Sequence, residues 1–197
     1  MTPPALHAAL TAGVERLAAW ADLLDAINVY PVADGDTGRN LVVSLAPLRR
    51  AGAEDDRGRL AAALLLAARG NSGNIAGRFF AAFLEDPHRQ GLSAAAARGA
   101  AAARQAVRRP QPGTMLTLFD ALPGLLEDRA PPGPDAVEGV LAKLAATVRG
   151  GPELLPRLAR AGVVDAGALG MYALFEGLFR HLAGRMEGCR PLTETFA

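Results

Sequence analysis

The feature that most constrains this chain is a rhythm. Apolar residues return every three or four positions over long stretches, and each stretch stops at a joint rich in glycine or proline. β-Branched residues are sparse and scattered, no run alternates with a period of two, and no Asn-Gly hairpin signal stands between strand-like runs. Ala, Leu, Arg and Glu, all strong helix formers, fill the stretches. With 50% of its 197 residues hydrophobic, the chain has enough material for one domain with a substantial core. The expectation is an all-α fold, an up-and-down antiparallel bundle of eight helices joined by short connections.

The first helix is expected over Ala5 to about Ala26, where Leu6, Leu10, Val14, Leu17, Trp20 and Leu24 make one apolar stripe. A second runs from near Gly38 to about Arg50. A third, Arg59 to Ala68, is apolar nearly all round and is expected at the centre. A fourth runs from Gly73 to about Leu84, where Asp86-Pro87 stops it. A fifth runs from a Ser93 cap to about Arg108, and a sixth from a Thr114 cap through Met115 to Glu127. The seventh covers Asp135 to Arg149, a short helical turn follows over Glu153 to Ala161, and the eighth covers Ala168 to Leu182. Residues 1–185 read as the folded domain and 186–197 as a C-terminal tail, loosely held over Cys189 to Ala197. In an up-and-down bundle every second joint lies at the same end. The joints after helices one, three, five and seven carry Asp34–Gly38, Gly70–Gly73, Gly113–Thr114 and Asp165–Gly170, so parity gathers them at one rim.

The first of these joints, Asn28-Val29-Tyr30-Pro31-Val32-Ala33-Asp34-Gly35-Asp36-Thr37-Gly38-Arg39-Asn40, holds the clearest chemistry. Gly35 and Gly38 allow a sharp turn, and Pro31 biases Tyr30 away from helix. Asp34 and Asp36 are thereby directed toward one point, where two carboxylates repel unless a cation or proton lies between them. Carboxylate oxygens of this kind suit Mg²⁺, which keeps waters and takes substrate phosphates as further ligands. The bland alternative is an Asp-Gly turn that caps the next helix. Gly70-Asn71-Ser72-Gly73 offers backbone N–H groups at a helix start to an anion, or simply an N-cap at Ser72. Met115 reads as a polarizable face for a base or as core filling, and Asp165 as a partner for nucleotide hydroxyls or as a helix cap. Asn40, one turn beyond Asp36, lies within reach of a phosphate.

A net charge of +1 gives no general electrostatic reason to bind nucleic acid. Arg49-Arg50 and Arg108-Arg109 read as solvated helix ends. The lone Cys189 excludes an internal disulfide and a cysteine metal cluster. Met1-Thr2-Pro3-Pro4 lacks the basic start of a signal peptide, and Leu60 to Ala68 is about half a membrane span, so the expectation is a soluble, cytoplasmic protein. No G-x-x-x-x-G-K-[ST] and no H-E-x-x-H occurs, and His7, His88 and His181 have no ligand spacing.

The Asp-rich stretch resembles the N-V-F-P-V-P-D-G-D-T-G signature of the dihydroxyacetone kinase L-type (DhaL, or DAK2) domain, most like its version in the ATP-binding subunit of bacterial fatty acid kinases. Three more stretches agree in order: Ala68-Arg69-Gly70-Asn71-Ser72-Gly73, Pro112-Gly113-Thr114-Met115-Leu116-Thr117 and Ala161-Gly162-Val163-Val164-Asp165-Ala166-Gly167-Ala168-Leu169-Gly170. The resemblance covers about residues 5 to 185 and implies an eight-helix, barrel-like bundle with nucleotide at one rim. It implies Mg²⁺ on Asp34 and Asp36, with Asn28 a weak third ligand, and ATP or ADP as the bound nucleotide. It implies phosphate contacts from Thr37, Gly38, Asn40, Asn71, Ser72 and Gly73, an adenine-side loop at Thr114 and Met115, and a ribose-side loop at Asp165 and Gly167. No catalytic residue beyond the metal ligands is implied. Arg39 stands where the fatty acid kinase type usually has Thr, Leu41 where it has Met, and Asn74 where it has an aliphatic residue.

The function so implied is that of the ATP·Mg-binding half of a two-component kinase. A DegV-like protein would present a fatty acid, and the product would be an acyl phosphate; a second copy of the chain is a further candidate partner. The alternatives are the ATP-binding subunit of a glycerone-type kinase, a non-catalytic nucleotide-sensing module, and a phosphate-ester hydrolase built on the Asp loop.

Overall fold

A computed structural model describes residues 3–50, 57–85, 91–126 and 131–196. Among them every regular element is helical, as the periodicity demands. The main helices are α1 (Pro3–Ala18), α2 (Ala21–Ala26), α3 (Thr37–Leu45), α4 (Arg57–Ala67), α5 (Gly70–Phe83) and α6 (Leu92–Gln105). They continue with α7 (Met115–Ala121), α8 (Val137–Arg149), α9 (Gly151–Leu154), α10 (Pro156–Ala161), α11 (Ala166–Ala183) and α12 (Leu192–Thr195). None is long and apolar enough to cross a membrane.

The centre is α11. Every residue of this helix is buried except His181 and Leu182. It lies against α1 with almost no side chain between the backbones. A Cβ on Gly13 would stand 2.7 Å from the Leu174 carbonyl oxygen, and one on Gly177 2.7 Å from that of Ala12. The phenylalanines of α5, α7 and α11 fill the remaining space. Phe79 stacks on Phe119 with ring centroids 4.0 Å apart and meets Phe175 edge-on at 5.9 Å. The third expected helix, matched by α4, is therefore not central. Leu64 is fully buried, but Leu66 is 80% exposed and Leu65 47%. An all-apolar helix earns the middle only if its neighbours can close around it, and the glycines of α1 and α11 give that place to α11.

Several expected boundaries move for local reasons. The first helix breaks at Ala19-Trp20, and α2 sets off separately, so that the Ala21 backbone lies against Gly38. The second ends as α-helix at Leu45 and tightens into a 3₁₀ turn, Ala46–Arg50. The sixth does the same after Ala121, where Pro123 denies the helix an N–H, and its expected end at Glu127 lies outside the described residues. Ser93 does not cap α6. Gly91 precedes that helix, and the Ser93 hydroxyl donates instead to the Pro123 carbonyl at 2.9 Å. The Asp86-Pro87 stop and His88 also lie outside the described residues.

The segment expected to be loosely held is tied down as far as Phe196. Leu192 is fully buried, Phe196 meets Tyr172 edge-on at 5.0 Å, and Arg149 donates to the Thr195 carbonyl at 2.6 Å. Nearby, buried Glu176 accepts from Arg16 at 2.7 Å and from Arg180 at 3.4 Å. Arg180 in turn grips Glu138 with both terminal nitrogens at 2.6 and 3.0 Å, which holds the Glu138 carboxyl below its ordinary range. This network joins α1, α8 and α11 by charge where the rest of their contact is apolar.

Candidate functional site

The Asp loop lies between α2 and α3. Asp25, near the end of α2, accepts from the Gly38 N–H at 2.7 Å and the Arg39 N–H at 3.3 Å, and pairs with the Arg39 guanidinium at 2.8 Å. It thereby satisfies the open N–H groups at the start of α3. Asp36 stands at the N-cap position but makes no side-chain cap bond. The capping role that sequence offered for the Asp-Gly turn thus falls to Asp25, and the Asp36 carboxylate is left to the cleft. Gly35 has φ 65°, which favours glycine, and its carbonyl accepts from Arg39 at 2.7 Å. Arg157 of α10 donates to the Pro31 carbonyl at 3.0 Å. The Asn28 amide donates to Asp34 at 2.8 Å; Asn28 is 5% exposed, and its own carbonyl oxygen is buried with no partner. An orphaned acceptor on a residue bonded to Asp34, in a cleft that Asp36 also lines, suits a cation, so these residues fit the magnesium that the resemblance implies. Among the described residues no group of three or more His, Cys, Asp or Glu could hold a metal. A site with few protein ligands is what Mg²⁺ tolerates, since water and phosphate complete its shell.

The second joint leads into α5. Arg69 is extended and Gly70 takes φ 60° before the helix begins. The Gly73 N–H reaches the Arg69 carbonyl at 3.1 Å, while the N–H groups of Asn71 and Ser72 precede any helical acceptor. Ser72 is not an N-cap: Arg69 holds that position and no side chain caps the helix. Ser44, fully buried on α3, fastens the joint by donating to the Asn40 carbonyl at 2.6 Å and accepting from the Arg69 N–H at 2.9 Å. Gly73 lies against it: a Cβ there would stand 2.0 Å from the Ser44 hydroxyl. Gly38 has the same use, since its Cβ would meet the Ala21 carbonyl oxygen at 2.1 Å. Both glycines, expected at phosphate, are required at these helix contacts and are not among the residues that line the cleft.

The third and fourth joints meet through one carboxylate. A single oxygen of Asp165 accepts from the Ala168 N–H at 2.8 Å and from the Met115 N–H at 3.1 Å, capping α11 and tying the start of α7 to it. Burial pushes the Asp165 carboxyl up to about 6, against the opposing pull of these two N–H bonds. Thr114 caps α7 by accepting from the Leu116 N–H at 3.4 Å and donates its hydroxyl to the Gln111 carbonyl at 2.9 Å. Met115 lies over Gly167, where a Cβ would come within 2.3 Å of its methyl group.

Together the four joints enclose a cleft of about 450 Å³, a size usual for small-molecule sites. Asn28, Asp34, Asp36, Thr37, Asn40, Asn71, Ser72, Thr114, Met115, Asp165 and Gly167 all line it, while Gly38 and Gly73 do not. The four joints that the sequence pattern grouped together thus do meet at one cleft. Sequence reasoning missed Asp25 and Ser44, which act from behind the wall. It also missed Arg108 and Arg109, which are exposed as expected of a helix end but stand on the cleft wall. The Pro-Gln-Pro-Gly turn after them was the available signal, because it folds the joint back toward Thr114.

The family profile of the DAK2 domain matches residues 31–180. The chain belongs to the DAK2 domain family. DAK2 domains are related to the L subunit of dihydroxyacetone kinase, a kinase family. Among the relatives of this DAK2 domain, Protein YloV of Bacillus subtilis is 34% identical over 191 residues, covering 89% of this chain and 34% of YloV. An uncharacterized protein of Staphylococcus haemolyticus is 32% identical over 193 residues, covering 88% of this chain and 34% of its own length. One from Staphylococcus epidermidis is 31% identical over 204 residues, covering 93% and 36%. The chain therefore spans about a third of the length of these curated relatives. The profile begins at Pro31 and takes in Asp34 and Asp36.

Proposed function

We propose that this DAK2 domain binds ATP·Mg²⁺ in the cleft and serves as the phosphoryl-donor half of a two-component cytoplasmic kinase. The acceptor in this reading is a fatty acid carried by a DegV-like partner, and the product is an acyl phosphate. The observation that carries the reading is the state of the Asp loop. Asp25 has taken over the capping of α3, so Asp36 lines the cleft without a cap bond, together with Asp34, which the Asn28 amide holds, and the orphaned Asn28 oxygen.

Asp34, Asp36 and Asn28 would hold the metal, which when bound supplies charge neutralisation to the phosphates. Asn28 orients Asp34 by its hydrogen bond. The N–H groups of Asn71 and Ser72, at the start of a helix of 14 residues, offer donors and the positive end of a dipole to phosphate oxygens. Thr37 and Asn40 add polar groups on the same wall. Met115 offers a polarizable face for the base, and Asp165 holds that face in place. Phosphoryl transfer asks chiefly for such positioning and charge balance.

Calorimetry with ATP·Mg²⁺ on wild type, Asp34→Asn and Asp36→Asn tests the donor half. Each substitution removes a charged ligand, so each should weaken magnesium-dependent binding at least tenfold, with melting temperature unchanged or raised as carboxylate repulsion is relieved. Unchanged affinity in both variants refutes the metal assignment. ADP formation by the domain alone, by a fatty-acid-loaded DegV-like protein alone, and by both, with hydroxylamine trapping of acyl phosphate, tests the acceptor half. Equal slow rates with tight ATP binding would instead favour a nucleotide-sensing module. Rapid phosphorylation of free glycerone by the domain alone would favour the glycerone-type kinase.

A further inference from the structure

The cleft wall carries three carboxylates, those of Asp34, Asp36 and Asp165. Its cationic side chains are Arg108 and Arg109. Two other arginines that approach the site are committed to the Asp loop: Arg39 pairs with Asp25 and the Gly35 carbonyl, and Arg157 holds the Pro31 carbonyl. Arg108 and Arg109 are exposed, and among the described residues neither has a hydrogen-bond or ion-pair partner.

Their backbone, by contrast, is well fixed. Pro110 and Pro112 stiffen the joint, the Thr114 hydroxyl closes onto the Gln111 carbonyl, and the Gly113 N–H donates to Thr117 at 2.9 Å. Gly113, at φ 81°, is backed against Gly151, where a Cβ would stand 2.6 Å from the carbonyl oxygen. Two guanidinium groups without a partner among the described residues are thus displayed by a braced loop on the wall of an otherwise acidic cleft.

Charge balance says what they meet. If a divalent ion sits on Asp34 and Asp36, the two carboxylates already cancel its charge. The charge of a polyphosphate in the same cleft then needs another cation, and the planar fork of arginine matches phosphate oxygens pairwise. Resting on the nucleotide reading above, we infer that Arg108 and Arg109 form a clamp for the outermost phosphate and set a preference for nucleoside triphosphate over diphosphate.

The test compares wild type, Arg108→Gln, Arg109→Gln and the double variant by calorimetry with Mg·ATP, Mg·ADP and Mg·tripolyphosphate, with melts to verify folding. Both residues are exposed, so melting should not change. The double variant should bind Mg·ATP roughly tenfold or more weakly, from the loss of charge-assisted bonds, and Mg·ADP with a clearly smaller loss. Mg·ATP affinity within twofold of wild type overturns the clamp and leaves the nucleotide reading standing. Equal loss for ATP and ADP also overturns it, since the arginines would then act only as background charge. If wild type binds Mg·tripolyphosphate in an arginine-dependent way but does not favour ATP, the clamp stands and the nucleotide reading falls. If wild type binds none of the three, both fall.

Discussion

Asp165 allows a prediction in numbers. Its carboxylate is buried, caps α11 and holds the Met115 N–H, so removing charge and removing acceptor have opposite effects. The folded-state value near 6 stands above the ordinary 3.8. A carboxyl raised on folding contributes stability that is full below about pH 4 and is lost as pH rises through about 6. At roughly 1.4 kcal/mol per pH unit, the loss amounts to about 3 kcal/mol by pH 7. Asp165→Asn keeps an oxygen acceptor and never ionises. It should be more stable than wild type at pH 7 by up to about 3 kcal/mol, less a fraction for weaker neutral hydrogen bonds, and should match wild type near pH 4. Asp165→Ala also removes the charge but strands two buried N–H groups at about 1–3 kcal/mol each, so it should fall below Asp165→Asn at every pH. Urea unfolding of the three proteins at half-unit steps from pH 4 to 8 reads these differences directly. Parallel pH profiles for wild type and Asp165→Asn would refute the buried-carboxylate argument. Equal stability of the Asn and Ala variants would refute the bridging role.

Two further outcomes separate packing from ligand binding. Gly73→Ala places a methyl 2.0 Å from the Ser44 hydroxyl, so chemical denaturation should show a loss of about 1–3 kcal/mol while the folded protein keeps its nucleotide affinity; a variant that is stable but fails to bind would return Gly73 to the phosphate site. Glu176→Ala leaves Arg16 and Arg180 facing each other in a largely buried place, and thermal melts should report a loss of about 3–5 kcal/mol, with Glu176→Gln intermediate; a loss below about 1 kcal/mol would mean that solvent already screens the network.

What could be read ahead of the structure was whatever depends on near neighbours in the chain. Spacing at three and four revealed the helices, and Gly and Pro marked where they stop. The joints that hold Asp34, Ser72, Thr114 and Asp165, grouped in advance by counting helices, do meet at one cleft. The order of four motifs named the family, because each motif is a contiguous string. Helix ends were harder to place. Thr114 caps as expected and Asp165 takes the cap that is one of its two readings, but Ser93 and Asp36 do not cap, because Gly91 and Asp25 fill those roles from other positions.

The sequence by itself determined that this protein is helical and roughly where its Gly- and Pro-rich joints fall, since periodicity and turn chemistry depend on near neighbours in the chain. Only the tertiary structure decided the rest. It made α11 rather than α4 the central helix, because that depends on which helices can approach through Gly13 and Gly177. It showed that Gly38 and Gly73 are needed where helices meet, which sequence could not tell, because a glycine looks the same whether its missing side chain makes room for a ligand or for a neighbouring helix. It freed Asp36 by letting Asp25 cap α3 across 13 residues of chain, and it put Arg108 and Arg109 on the cleft wall. Such competition between side chains for one donor or one space is settled only when segments distant in the chain meet.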